Sequence, residues 1–307
     1  MAGGLRNSDQ FNHHWKGYSP TTSAPISILK AIQALKILGI NHLITIQTKI
    51  QRRATMKIKA IALREFKNFF ISPLGWIILA ATQGIISFQY IARIADYIFD
   101  YQPKLAKLNN PPGVTDIVGV YTIAHVAELF LIIIPIATMH AFSSERRNHS
   151  LTLLRSSPIS VTEMVLGKYL GILAFAMLMV LQVAVMIFTL EVGTDLDIGK
   201  ILSGLIGLSL VIAAWSAAGI YFSSLTKSPA TAAIVTIALL MILWKLEWGA
   251  ETSAQVAAFF AYLSVPNHFG PMAMGIIQSV DVCYFILFIT LFLILTIRRF
   301  DAERLRH

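Results

Sequence analysis

The chain has 307 residues, 56% of them hydrophobic and 13% charged, with a formal net charge of +9 and a mean hydropathy of +0.67. Soluble domains run near 45–50% apolar and about 25% charged, so this much apolar surface needs lipid as its solvent. In a soluble chain such basic charge would point to nucleic acid; here it lies in the short segments between apolar runs, which is the pattern of a membrane protein and argues against a nucleic-acid partner.

Residues 1–55 are polar, with scattered His, Asn, Ser and Pro, and hold no run long enough to span a bilayer. The stretch Ile26 to Ile46 is mildly apolar but broken by Lys30, Lys36, Gly39, Asn41 and His42. It lacks the basic start, continuous apolar centre and cleavage site of a signal peptide. Two readings stay open: a disordered tail, or an extension upstream of a true start at Met56. The organised pattern occupies 56–307. It begins with an amphipathic helix, Lys57 to Ser72, with Ile58, Ile61, Ala62, Phe66 and Phe69 on one face and Lys57, Arg64, Lys67 and Asn68 on the other. Lys59 and Glu65 fit that division less well. A basic amphipathic helix ahead of a span lies in the membrane interface.

About 20 apolar residues are needed to cross a bilayer core. Six stretches approach this: Gly75 to Ile94, Val118 to Phe142, Met164 to Leu190, Ile201 to Phe222, Ala230 to Trp248 and Val282 to Ile297. The expected fold is an all-α polytopic membrane protein. Basic residues set its orientation. One side carries Lys57, Lys59, Arg64, Lys67, Arg146, Arg147, Arg155, Lys168, Lys227, Arg298, Arg299, Arg304 and Arg306. The other has Lys104, Lys107 and Lys200, with Arg93 and Lys245 near helix ends. This asymmetry predicts cytoplasmic termini at both ends. Acidic Asp96, Asp100, Asp116, Glu191, Asp195, Asp197, Glu251 and Asp281 then fall outside.

Local chemistry marks the helix starts. Ser160-Val161-Thr162-Glu163 is a capping box before the third span. Ser228-Pro229 opens the fifth, with a capping serine ahead of a proline at the first helical position. Ser203, Gly204, Gly207, Ala213, Ala217 and Gly219 line the fourth span with small residues that let helices approach closely. Trp76, Trp244 and Trp248 fall at span ends, where tryptophan anchors to the interface.

Two non-spanning segments are patterned. Ser143 to Ser160 is a short basic loop whose centre, Leu151-Thr152-Leu153-Leu154, is apolar enough to be a helix docked on a partner. Ala254 to Val280 is too broken by Pro266, Gly270, Pro271 and Gly275 to span and too apolar to be a solvated loop, which predicts two short helices dipping into the outer leaflet. Within the second span, His125 and Glu128 lie three residues apart on one face. An intramembrane carboxylate is a functional candidate; the pair is read as satisfying itself structurally or as a polar part of a transport path. The single cysteine, Cys283, permits no intrachain disulfide, and no Cys/His cluster has metal-ligand spacing. No cofactor site is expected, nor a catalytic residue: His-Glu-x-x-His and Gly-x-Ser-x-Gly are both missing.

The stretch Glu145-Arg146-Arg147-Asn148-His149-Ser150-Leu151-Thr152-Leu153-Leu154-Arg155-Ser156-Ser157-Pro158-Ile159-Ser160, followed by Gly167-Lys168, resembles the permeases of type-2 ABC exporters, the ABC-2 family. His149-Ser150 stands where Gly-Thr is usual. Phe222-Ser223-Ser224-Leu225-Thr226-Lys227-Ser228 is similar to the family's link between its fourth and fifth spans. Leu263-Ser264, His268-Phe269, Gly275-Ile276-Ile277 and Asp281-Val282 look like the branch of gliding-motility and nitrous-oxide-reductase-maturation permeases.

The resemblance implies a multi-pass permease in a bacterial inner membrane. It makes Lys57 to Ser72 an interfacial elbow helix, with Lys57, Arg64 and Lys67 on its basic face. It makes Glu145 to Ser160 the bearer of a coupling helix, with Glu145, Arg146, Arg147, Leu151, Leu153, Leu154 and Pro158 docking on an ATPase. It makes Ala254 to Val280 the paired re-entrant helices. A phosphate-binding Gly-x-x-x-x-Gly-Lys-Ser/Thr loop is missing, so ATP hydrolysis is expected in a separate ATP-binding subunit, alongside a second permease copy. The alternatives are a secondary transporter driven by an ion gradient, which usually shows internal repeats, and a membrane-integral enzyme.

Overall fold

The computed structural model describes residues 54–105, 112–147, 159–246 and 254–304. Among them the chain is helical, with no strand. The reading of 1–55 lies almost wholly outside the described residues.

Helix α1 covers 54–71 and α2 runs Pro73–Asp96. The corner between them is built by four consecutive features. Ser72 caps α2, its hydroxyl accepting from the Leu74 amide at 3.3 Å. Pro73 takes the first turn, where its missing N–H costs nothing. The Trp76 indole donates to the Phe70 carbonyl at 2.9 Å, satisfying the end of α1. Gly75 lets the two helices touch: a Cβ there would sit 1.9 Å from the Phe69 carbonyl oxygen.

After α2 the helix loosens through a π segment, Tyr97–Tyr101. A second π segment, Thr115–Val120, leads into α3, Tyr121–Thr138. Pro135 removes a donor inside α3, and α3 ends at Thr138, the Met139 amide still bonding the Pro135 carbonyl at 2.9 Å. A short helix, α4, follows at His140–Arg147. Beyond it come α5, Val161–Phe188, α6, Ile198–Leu225, and α7, Pro229–Lys245. Two short helices, α8 at Ala254–Leu263 and α9 at Val265–Ala273, precede α10, Ser279–Arg304.

Helix α6 is the axis of the bundle. It packs on α3, α5, α7, α9 and α10, and 78% of its most apolar stretch is buried, against 28% for α10. The small residues are the reason it can sit there. A Cβ at Gly219 would lie 2.1 Å from the Thr138 hydroxyl, and one at Gly207 would lie 2.9 Å from Met272. The periphery is apolar too: Phe88, Ile91, Leu181, Val185, Ile234 and Leu287 are all exposed. Such a surface is stable only in lipid.

Five helical stretches are long and apolar enough to cross a membrane: Pro73–Leu105, Thr115–Arg147, Val161–Val192, Ile198–Leu225 and Ser279–Arg304. The fifth of the six expected spans is shorter. Helix α7 has 17 residues, about 25 Å at 1.5 Å per residue, below the roughly 30 Å hydrocarbon core. The predicted pair of short helices before the last span is present as α8 and α9. At the start of α7 the serine cap is not formed: Ser228 makes no side-chain capping bond, and its carbonyl instead accepts from Thr226 at 3.2 Å. Trp244 is half-buried at the end of α7. It packs inward, edge-on to Trp215 at 5.8 Å and against Phe269 at 6.3 Å. Trp248 lies outside the described residues.

Candidate functional site

Helix α1 lies against α5. Its half-buried positions are Ala54, Lys57, Ile58, Ile61, Ala62, Glu65, Phe66, Phe69 and Phe70, an unbroken stripe at helical spacing. Gly167 and Gly171 give it room. A Cβ at Gly167 would meet Ile61 at 2.7 Å, and one at Gly171 would meet the Ala62 carbonyl at 2.6 Å. Phe69 stacks on Phe175 with centroids 4.1 Å apart.

Glu65 belongs to that inward stripe, which corrects the expectation that it fits the helix poorly. Its partner is Lys168. The Lys168 ammonium lies 3.0 Å from Glu65 and 2.8 Å from Glu145, with 5% of its side chain exposed. It also faces the Phe142 ring at 5.2 Å. A buried ammonium is tolerated only when paired, and here two carboxylates from two different helices converge on it. Sequence reading gave Lys168 a topological role and a place in the family-like Gly167-Lys168 pair, but no partner. Two signals pointed further: its place between two glycines four apart, and a glutamate on the apolar face of the amphipathic helix.

The basic residues of α1 divide into three situations. Lys57 reaches Glu163 at 3.5 Å, the glutamate of the capping box. That box forms as predicted, Glu163 accepting from the Ser160 amide at 2.9 Å and the Ser160 hydroxyl accepting from the Glu163 amide at 3.1 Å. Arg64 sits 3.6 Å from Glu65 but is largely exposed. Lys67 is exposed.

Helix α4 is fastened on several sides. Ser223, near the end of α6, accepts from the Phe142 and Ser143 amides at 3.0 and 3.2 Å and donates to the Met139 carbonyl at 2.9 Å. A hydroxyl from another helix thus satisfies the orphan amides that every helix start leaves open. Glu145 is held by Lys168. Arg146 donates to Glu303 at 2.6 Å, which Arg299 also reaches at 3.1 Å. Phe142 meets Phe300 at 4.7 Å. Four helices, α1, α5, α6 and α10, therefore anchor at this basic end. Arg147 is exposed. Leu151, Leu153, Leu154 and Pro158 lie outside the described residues. What is described is the two ends of the 148–158 segment: α4 on one side and the Ser160 box on the other. A cavity of about 610 Å³ opens between α1, α2, α4 and α5, with Arg64, Glu65, His140, Glu145 and Lys168 on its wall.

His125 and Glu128 do pair, at 3.3 Å, with 33% and 47% of their side chains exposed. The His125 ring meets Tyr121 edge-on at 4.1 Å, and the Arg93 guanidinium covers the Tyr121 ring at 3.3 Å. The pair is therefore on the outside of this subunit, not in its packed centre. At the same end, Lys200 pairs with Asp116 at 2.7 Å. Asp281 is buried at the first turn of α10 against His268 of α9, at 2.7 Å. Among the described residues no cluster of three or more His, Cys, Asp or Glu is placed to hold a metal ion.

No curated protein matches the chain. A family model described as ABC-2 family transporter protein matches residues 27–305, and the match joins the long apolar helices, the elbow-like α1 and the clamped α4 into one assignment. The chain belongs to the ABC-2 transporter family, whose members are the membrane subunits of ABC transporters.

Proposed function

We propose that the chain is the permease half of an ATP-driven exporter in a bacterial inner membrane. It crosses six times, keeps both termini in the cytoplasm, and works as two copies with a separate ATP-binding subunit on each. Family membership supports a permease paired with an ATPase, and on that ground an ion-gradient mechanism and membrane-integral catalysis are set aside. The single observation that carries the coupling role is the clamping of α4. A segment meant to transmit a displacement has to be tied to the helices it moves. Glu145 and Arg146 tie α4 to α1, α5 and α10 through Lys168 and Glu303, and Ser223 ties it to α6.

In this reading the ATPase engages Leu151, Leu153, Leu154 and Pro158. Arg147, exposed at the end of α4, supplies a weaker, salt-sensitive contact. Lys57, Arg64 and Lys67 hold α1 in the headgroup layer. Helices α8 and α9 re-enter the outer leaflet and close the far end of the route. His125 and Glu128, being outside the packed core of one subunit, line a route that lies between two copies.

Affinity purification of the tagged chain from its native membranes tests this. An ATP-binding subunit carrying a phosphate-binding loop should co-purify. Its absence under mild detergent, with the chain otherwise folded, would overturn the proposal.

A further inference from the structure

We propose that the cavity between α1, α2, α4 and α5 is a phospholipid site. It takes the phosphate group of one lipid on Arg64 and that lipid's acyl chains on the apolar wall behind it. The cavity measures about 610 Å³, within the range of sites that enclose small ligands. Its polarity is graded. Of the described lining residues, the exposed ones are Arg64, Asn68 and His140, all able to donate a hydrogen bond. The buried ones are Gly75, Ala137, Ala141 and Ile172, with Lys168. A ligand of one polarity throughout, a sugar or an alkane, suits only one end of such a wall. An amphiphile suits both.

Depth agrees with polarity, given the reading of α1 as a helix in the headgroup layer, on which this site rests. Ser72, Leu74 and Gly75 bring the α1–α2 corner into the cavity wall, and Trp76 in the same corner is 57% exposed. An exposed tryptophan beside a basic amphipathic helix marks the level of the lipid heads. From there the apolar wall runs into the span. Ile172 is one turn past Lys168 on α5, about 6 Å at 1.5 Å per residue, and Ala137 belongs to the last turn of α3. The site is thus cut in between helices rather than spread over the lipid-facing rim.

Charge assigns the phosphate to Arg64. Lys168 is held by Glu65 and Glu145 at 3.0 and 2.8 Å, so its charge is answered within the wall. Arg64 has 62% of its side chain exposed and lies 3.6 Å from Glu65. An exposed pair of that kind contributes little, so the guanidinium turns to an incoming phosphate at small cost. Its planar fork matches phosphate bidentately, and basic pockets between membrane helices on the cytoplasmic side bind phosphate-bearing heads. Asn68, at i+4 from Arg64 on α1, and His140, held by Ser144 at 2.9 Å, stand at the same mouth. The wall's two cations, Arg64 and Lys168, balance its two carboxylates, Glu65 and Glu145. Recognition therefore falls on the phosphate that phospholipids share, not on the net charge of the head.

Native mass spectrometry of the full chain in dodecyl maltoside, titrated with dioleoylphosphatidylethanolamine, tests this. One lipid per chain should bind saturably, ahead of any weaker adducts. Arg64→Gln should weaken that first binding about tenfold or more, the worth of one charge-assisted bond, and Arg64→Lys should recover part of it. Lys59→Gln, exposed on α1 but not on the cavity wall, should leave it unchanged. Inorganic phosphate in excess should not displace the lipid, because it makes none of the chain contacts. Ala141→Trp fills the cavity and should abolish the first binding; if that variant fails to fold, the Arg64 series decides alone. The inference is overturned by the lack of a saturable first lipid, by equal affinity in Arg64→Gln and the native chain, or by an equal loss in Lys59→Gln. Displacement by inorganic phosphate overturns it too, by making this an ion site. The readout needs no ATP-binding subunit, so its failure leaves the permease reading standing, and failure to capture that subunit leaves this site standing.

Discussion

Replacing Lys168 with methionine probes the node that ties α1 and α4 to α5. The substitution keeps the apolar stem and removes the ammonium. Glu65 and Glu145 both touch that ammonium, at 3.0 and 2.8 Å, so without it two carboxylates stand at most about 6 Å apart. At an effective dielectric constant of 20 their repulsion is roughly 3 kcal/mol. Breaking a buried pair by removing one partner costs about 3–5 kcal/mol in soluble proteins, which agrees. Arg64 offers little relief because it is exposed, and an exposed pair contributes about 1 kcal/mol at most. Lys168→Met in nanodiscs should therefore melt about 6 °C or more below the native chain. Adding Glu65→Gln and Glu145→Gln to it should recover most of the loss, since the repulsion between the two carboxylates is gone. A single variant within about 1 °C of native, or a triple variant as unstable as the single, would refute the charge argument and leave only packing.

Three further outcomes follow from the same geometry. Ser223→Ala removes the cap of α4 and should cost about 0.5–2 kcal/mol, seen as faster amide exchange confined to residues 140–147; Ser223→Thr should keep much of the protection. On a background lacking Cys283, which is free and exposed, a cysteine at Lys227 should react only from the cytoplasm and one at Asp195 only from outside; the reverse pattern inverts the proposed topology. Deleting residues 1–55 should leave insertion and transport intact, because that stretch holds no span; loss of ATP-binding-subunit capture would give the tail a function, and a shorter deletion of 1–26, ahead of the family match, would then locate it.

Periodicity and hydropathy made the long helices legible, because lipid imposes one rule on every span. The Ser160–Glu163 box was legible because both partners are local in sequence. The charge node was not. Lys168 and Glu65 are 103 residues apart, and each alone has an ordinary explanation, a topology charge and a misplaced glutamate. Ser223 was equally hidden, since a cap supplied by a different helix leaves no local pattern. The contact of Trp244 with Trp215 was hidden too, since the two rings come from different helices. The pairing of Asp281 with His268 was hidden because the two are 13 residues apart and on different helices.

The central claim is that the loop between α4 and α5 carries ATPase motion into the spans. Its most direct test is Leu153→Ser together with Leu154→Ser, with the permease reconstituted beside its ATP-binding subunit and ATP hydrolysis measured. Burying one leucine on association is worth roughly 1.5–3 kcal/mol, so subunit binding should weaken about tenfold or more while membrane insertion stays normal and stimulated hydrolysis disappears. Binding and stimulation that both persist at the native level would contradict the account.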